Sequence, residues 1–205
     1  MNRALSVVTL GVAALCGVRT VPAQSVVWSG GATVVGVRTQ GDLGAVAGTV
    51  LGGLASARFK RFEVEARYLQ GGLDNRDLVQ GQLALRYDAT PWLTAQTAAR
   101  SRAYVTPAGT ERWVVWLLGV RVATPLVGST VRGDIGMWSA LALSANVGSS
   151  QGRGGRGGEA GVTLQVPTRP WWFRLAYGID RSTVTGALRR ETVEEFTLTV
   201  GVRRR

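Results

Sequence analysis

Arg61-Phe62-Glu63-Val64-Glu65-Ala66-Arg67-Tyr68 is the stretch whose reading decides the fold. Its odd positions are all charged, and its even positions are Phe, Val, Ala and Tyr. Successive side chains of an extended strand point to opposite faces, so one face here is charged and the other apolar. In a soluble sheet the apolar face packs on a core and the charged face meets water. In a closed sheet within a bilayer the apolar face meets lipid and the charged face lines the interior.

The same alternation recurs on both sides of this stretch. Ten strands are expected, at about 31–39, 44–55, 60–70, 77–88, 92–105, 112–124, 129–145, 158–166, 171–181 and 192–203; an eight-stranded arrangement is the alternative. Val79, Leu83, Leu85 and Tyr87 oppose Gln80, Gln82 and Arg86. Val114, Trp116, Leu118, Val120 and Val122 oppose Arg121. Val131, Ile135, Met137 and Leu141 oppose Arg132 and Asp134, and Trp171, Phe173, Leu175, Tyr177 and Ile179 oppose Arg174 and Asp180. Phe196, Leu198, Val200 and Val202 oppose Glu195, Thr197, Thr199 and Arg203. The first two strands are too rich in Gly, Ala and Val for their faces to be read. Leu43 to Ala57, with Gly44, Gly48 and Gly52 at four-residue spacing, also offers a helix reading. It is too short to cross a bilayer as a helix, which takes ~20 residues.

Prolines mark tight connections at Asp88-Ala89-Thr90-Pro91, Pro125-Leu126-Val127-Gly128 and Pro167-Thr168-Arg169-Pro170. Segments 71–76, 106–111, 148–157 and 182–191 read as longer polar loops at the opposite strand ends. Phe59, Phe62, Tyr87, Trp92, Trp171 and Trp172 gather at the turn end; Tyr68, Tyr104 and Trp113 gather at the loop end. Tyr and Trp favour the membrane–water interface. An aromatic girdle of Tyr68, Tyr87, Trp92, Trp113, Trp171 and Tyr177 is therefore expected.

Residues 1–23 read as a secretory signal peptide: Arg3, an apolar run from Ala4 to Cys16, and Val21-Pro22-Ala23 at a cleavage site. Residues 24–205 then form one domain. Cys16 is the only cysteine and there is no histidine, so the domain has no disulfide, no thiolate chemistry, no His-based triad and no Cys/His metal site. No catalytic group, metal or cofactor is expected. The net charge is +11; without Arg3 and Arg19 it is +9, and Lys60 is the one basic residue that is not arginine. No nucleic-acid-binding pattern surrounds these charges.

Leader, alternating strands, unequal connections and aromatic bands together resemble the small bacterial outer-membrane β-barrels. The resemblance implies an all-β, up-and-down antiparallel transmembrane barrel with both chain ends in the periplasm. It also implies outer-membrane lipid and lipopolysaccharide phosphates, and the barrel-assembly machinery, as partners. Such barrels usually end in an aromatic residue, whereas this chain ends Gly201-Val202-Arg203-Arg204-Arg205.

Glu63, Glu65, Arg67, Arg86, Arg100, Arg102, Arg121, Arg132, Asp134, Glu159, Arg174, Asp180 and Glu195 fall on the polar faces and are expected to form an ion-paired network that plugs the lumen. The competing readings are a narrow anion-selective channel with arginine as selector, and a soluble exported barrel around an apolar ligand. Gln151-Gly152-Arg153-Gly154-Gly155-Arg156-Gly157-Gly158 reads as an outer loop, with Arg153, Arg156, Arg189 and Arg190 touching anionic groups.

Overall fold

The computed structural model describes residues 26–41, 44–146, 152–184 and 189–204. The expected leader, residues 1–23, lies outside them. Ten strands follow in order: β1 (Val27–Gly41), β2 (Gly44–Phe59), β3 (Phe62–Leu73), β4 (Arg76–Asp88), β5 (Leu93–Thr106), β6 (Gly109–Val127), β7 (Val131–Ala145), β8 (Gly152–Gln165), β9 (Trp171–Val184) and β10 (Arg189–Arg204). Each pairs antiparallel with the next, and β1 pairs with β10 to close the barrel. The segment from 44 to 57, open to a helix reading, is strand β2, because its backbone pairs with β1 and β3 on both sides.

The apolar faces point outward. Leu83, Leu85, Trp116, Leu118, Ile135, Met137, Leu175, Tyr177 and Phe196 are all exposed, while Arg86, Arg100 and Arg174 on alternate positions point inward and are half-buried. The soluble alternative required the opposite facing, and this geometry overturns it. The first two strands now have faces as well: Val34 and Leu51 point out, and Val35, Val37 and Val50 point in.

Among the described residues the unequal connections expected from sequence do not appear: 74–75 and 107–108 at the loop end are no longer than 60–61, 89–92, 128–130 and 166–170 at the turn end. Residues 42–43, 147–151 and 185–188 lie outside the described residues. The polar segments that read as loops are largely strand: past the apolar band the outward face turns polar while the inward face packs into an apolar layer, so the regular alternation is lost to view. The glycine–arginine tract is the clearest case. From Gly152 on it is the first half of β8, paired with β9 and, from Arg156, also with β7. Arg153, Arg156, Arg189 and Arg190 consequently lie on strands and not on loops.

A β-bulge sets Leu141 as an extra residue on β7, between the pairs Trp116–Ala142 and Leu117–Ala140. It reverses parity along the strand, so Leu143 and Ala145 point inward above it.

The interior has two zones. Toward the loop end it is largely apolar, with Val37, Val50, Leu69, Leu73, Leu78, Tyr104, Trp113, Val115, Leu143 and Val193 packed together and the Arg76 guanidinium 5.0 Å over the Tyr104 ring. Toward the turn end it is a polar cavity of about 540 Å³, whose mouth is bordered by Ser29, Arg58, Pro91, Arg132 and Arg203.

Candidate functional site in the lumen

Below the apolar cap the inward charges sit in three groups. Nearest the mouth, Arg58 bonds Glu63 at 2.6 Å and Asp88 at 3.0 Å, and Arg86 bonds Glu63 at 3.0 Å and Glu65 at 2.7 Å. On the facing wall, Arg174 bridges Asp134 and Glu159, and Arg121 reaches the same two carboxylates at 2.8 and 3.0 Å. Directly beneath the cap, Asp180 accepts from Arg100 at 2.6 Å and lies 3.6 Å from Arg102. Arg102 also lies 3.5 Å from both Glu191 and Glu195, and Arg67 lies 3.8 Å from Glu195.

Neutral groups fill the gaps. Arg102 Nε donates to Gln80 at 2.7 Å, Arg100 Nε to Gln82 at 2.8 Å, and Trp138 Nε1 to Asp180 at 3.2 Å. The Arg100 guanidinium stands over the Trp138 ring at 5.5 Å. Such bonding is what a buried ionic group requires, because an ion stripped of water is stabilised only when charge and hydrogen-bonding capacity are both met.

The balance of this network decides what it can do. These ion pairs hold seven arginines (58, 67, 86, 100, 102, 121, 174) and eight carboxylates (63, 65, 88, 134, 159, 180, 191, 195) among the described residues. The arginine excess of the chain is therefore not in the paired lumen. Arg132, expected within it, is exposed at the mouth with its Nη2 3.5 Å from the Pro91 carbonyl. Among the described residues it makes no ion pair.

Arg58, Asp88 and Glu191 joined the network without being foreseen. Asp88 shares the parity of Arg86 and Glu191 that of Glu195, so both were within reach of the alternation. Arg58 lies on β2, where glycine and alanine hide the parity.

Small residues make room for the large inward ones. A Cβ at Gly157 would lie 2.6 Å from Trp138 ring atoms, and one at Gly161 would lie 2.5 Å from the Arg174 guanidinium. The Trp172 ring covers Gly201 in the same way, and its Nε1 donates to Ser29 at 3.1 Å. Among the described residues no group of His, Cys, Asp and Glu side chains is arranged to hold a metal ion.

On the outer face, Trp28, Phe59, Phe62, Tyr87, Trp92 and Trp171 are exposed at the turn end. That is the girdle at one rim. At the other rim the expectation needs correction. Tyr68 is exposed, with its hydroxyl on Gln70 at 3.0 Å. Trp113 and Tyr104 point inward into the cap, at 2% and 1% exposure, and Trp113 Nε1 bonds Glu111 at 2.7 Å. Tyr177 faces outward but sits in mid-strand opposite Phe196. Here the odd positions of β6 and the even ones of β5 carry the lumen, and parity prevails over the interfacial taste of the ring.

Where each outward apolar run ends at the loop side, the next outward residue is charged on several strands: Arg38, Asp77, Arg112, Arg156, Arg181 and Glu194. Four of these six are arginine.

No protein-family model matches the chain, and no curated protein matches it in sequence. Solved structures similar to it include Neisserial surface protein A, at TM-score 0.41 and 14% identity over 86% of this chain and 95% of that one. The translocator domain of the autotransporter NalP from Neisseria meningitidis gives TM-score 0.38 and 13% identity, over 87% and 88% of the two chains. The attachment invasion locus protein Ail of Yersinia pestis gives 0.30 and 10%, over 87% and 98%. The barrel assignment itself rests on the strand pairing.

Proposed function

We propose that this protein is an integral barrel of a bacterial outer membrane, with an ion-paired, closed lumen and a structural, lipid-contacting role in the envelope. The observation that carries this reading is the inversion of the fold: a continuous apolar exterior around buried arginine–carboxylate pairs. An apolar exterior of this kind exceeds what a monomer exposes to water. The aromatic rim then marks one interface and the arginine-rich rim the other. The turn end, where β1 begins and β10 finishes, lies on the periplasmic side, where the barrel-assembly machinery receives the chain. The arginine rim faces the phosphates of the outer leaflet.

Charge balance speaks against an anion selector. The apolar cap above Asp180 and Arg102 supports a lumen closed to ions, because water does not fill a packed apolar layer. The test has two parts. Residues 24–205, produced without the leader, are expected to need detergent or lipid to stay monomeric. In a planar bilayer the folded protein is expected to carry no steady current. A soluble monomer would overturn the membrane reading, and a stable anion-selective conductance would overturn the closed lumen.

A further inference from the structure

We propose that Arg156 and Arg181 form a clamp for the phosphate of an outer-leaflet glycolipid of the lipid A type, one of whose acyl chains lies in an apolar groove below them.

Arg156 on β8 and Arg181 on β9 are direct cross-strand neighbours, both exposed. Directly opposed side chains on one face have Cβ atoms about 5 Å apart, and like charges so placed repel. Among the described residues neither guanidinium has an ion-pair or hydrogen-bond partner. The row they share continues as Ser139 on β7 and Thr192 on β10, so no carboxylate relieves them along it. A phosphate fits between two such groups, since each guanidinium offers parallel N–H donors to two of its oxygens.

Below the pair the outer surface is hollow. A groove of about 500 Å³ runs over Ala160 and Gly133, walled by Ile135, Leu175, Tyr177 and Phe196. Ala160 lies opposite Tyr177, four residues along the strands from the arginine pair. At ~3.3 Å per residue that is roughly 13 Å, within the reach of one acyl chain hanging from a phosphate held at the rim. Charge at one end and an apolar groove at the other describe a single amphipathic lipid better than diffuse attraction to a surface.

This inference rests on the barrel spanning an outer membrane with its loop end outward. The probe is bis-phosphorylated hexa-acyl lipid A, added to the full folded barrel in phosphatidylcholine nanodiscs, with retained lipid read by native mass spectrometry after release into detergent. The expected result is one lipid A per barrel, bound at least tenfold more weakly by the R156Q/R181Q double variant. Arg112→Gln, a rim arginine on the other wall, is expected to leave retention unchanged. Ala160→Phe, which fills the groove and leaves both arginines, is expected to lower it.

Equal retention of dephosphorylated lipid A by the unmodified barrel would overturn the clamp without any variant. So would an Arg112→Gln loss as large as that of the double variant. Phosphatidylglycerol held as well as lipid A would overturn the assignment to a glycolipid. Failure of the membrane reading shows separately, as a chain that stays soluble without detergent; failure of this inference shows as an inserted barrel that retains no lipid A.

Discussion

Trp138 on β7 occupies the space that a side chain at Gly157 on β8 would need, with ring atoms 2.6 Å from where a Cβ would stand. The ring is fixed there by its bond to Asp180 at 3.2 Å and by the Arg100 guanidinium above it. Gly157→Ala must displace the ring or the strand. The expected loss is ~1–3 kcal/mol, the range for overpacking, measured by urea unfolding in lipid vesicles. Gly81→Ala, where a Cβ meets nothing within 4 Å, is expected to change stability little in the same assay.

Facing is tested by single charges. Leu83→Arg and Leu175→Arg place a guanidinium on the exposed apolar band, at an expected cost of ~2–4 kcal/mol near the bilayer midplane. Gln82→Arg, on the lumen side, is expected to be much milder. Fractions folded into vesicles, read by the shift in gel migration between heated and unheated samples, compare the three. Equal damage at positions 82 and 83 would sink the assignment of faces.

The lumen network is tested by stranding its carboxylates. Arg174→Ala leaves Asp134 and Glu159 with Arg121 alone, and breaking a buried pair in this way costs about 3–5 kcal/mol. Arg132→Ala, at the exposed mouth, is expected to stay within ~0.5 kcal/mol. Denaturant midpoints for the two variants, at unchanged slope, give the comparison.

The apolar cap makes its own demand. Trp113→Ala removes a side chain that is 2% exposed, and a buried aromatic truncation costs ~3–5 kcal/mol. If the cap is the barrier to ions, Trp113→Ala combined with Leu78→Ala is expected to raise the leak of a small dye from loaded vesicles. Unchanged leakage from a correctly inserted double variant would place the barrier in the ionic layer instead.

Much of this architecture was legible from Arg61 to Tyr68 alone, because two-residue periodicity is enforced by the backbone itself. The faces of β4, β9 and β10 followed for the same reason. Trp113 points inward, as Arg121 on the same parity eight residues along requires; the interfacial preference of its ring yields to the alternation. The tract from Gly152 to Gly158 hides its strand for a different reason. Glycine at 157 answers to Trp138 on the neighbouring strand, a demand that no local pattern carries. Glycine at 161 answers likewise to Arg174. The apolar cap was hidden because Leu69, Leu73, Leu78 and Leu143 lie beyond the stretches where alternation is regular, and their shared layer exists only once the strands are staggered.

Thr33 and Thr199 meet across the β1–β10 pairing, their hydroxyls 3.0 Å apart and buried. The chain separating them is 166 residues long. That join is the zip of the cylinder, and it has kinetic meaning. Until the final strand arrives, Arg67 and Arg102 lack Glu195, and the edges of β1 and β9 lack a partner. Local hairpins can form early, but the last contact carries the loop-closure entropy of almost the whole chain. The barrel is thus a structure of late commitment, held open to rescue or to proteolysis until its two ends find each other.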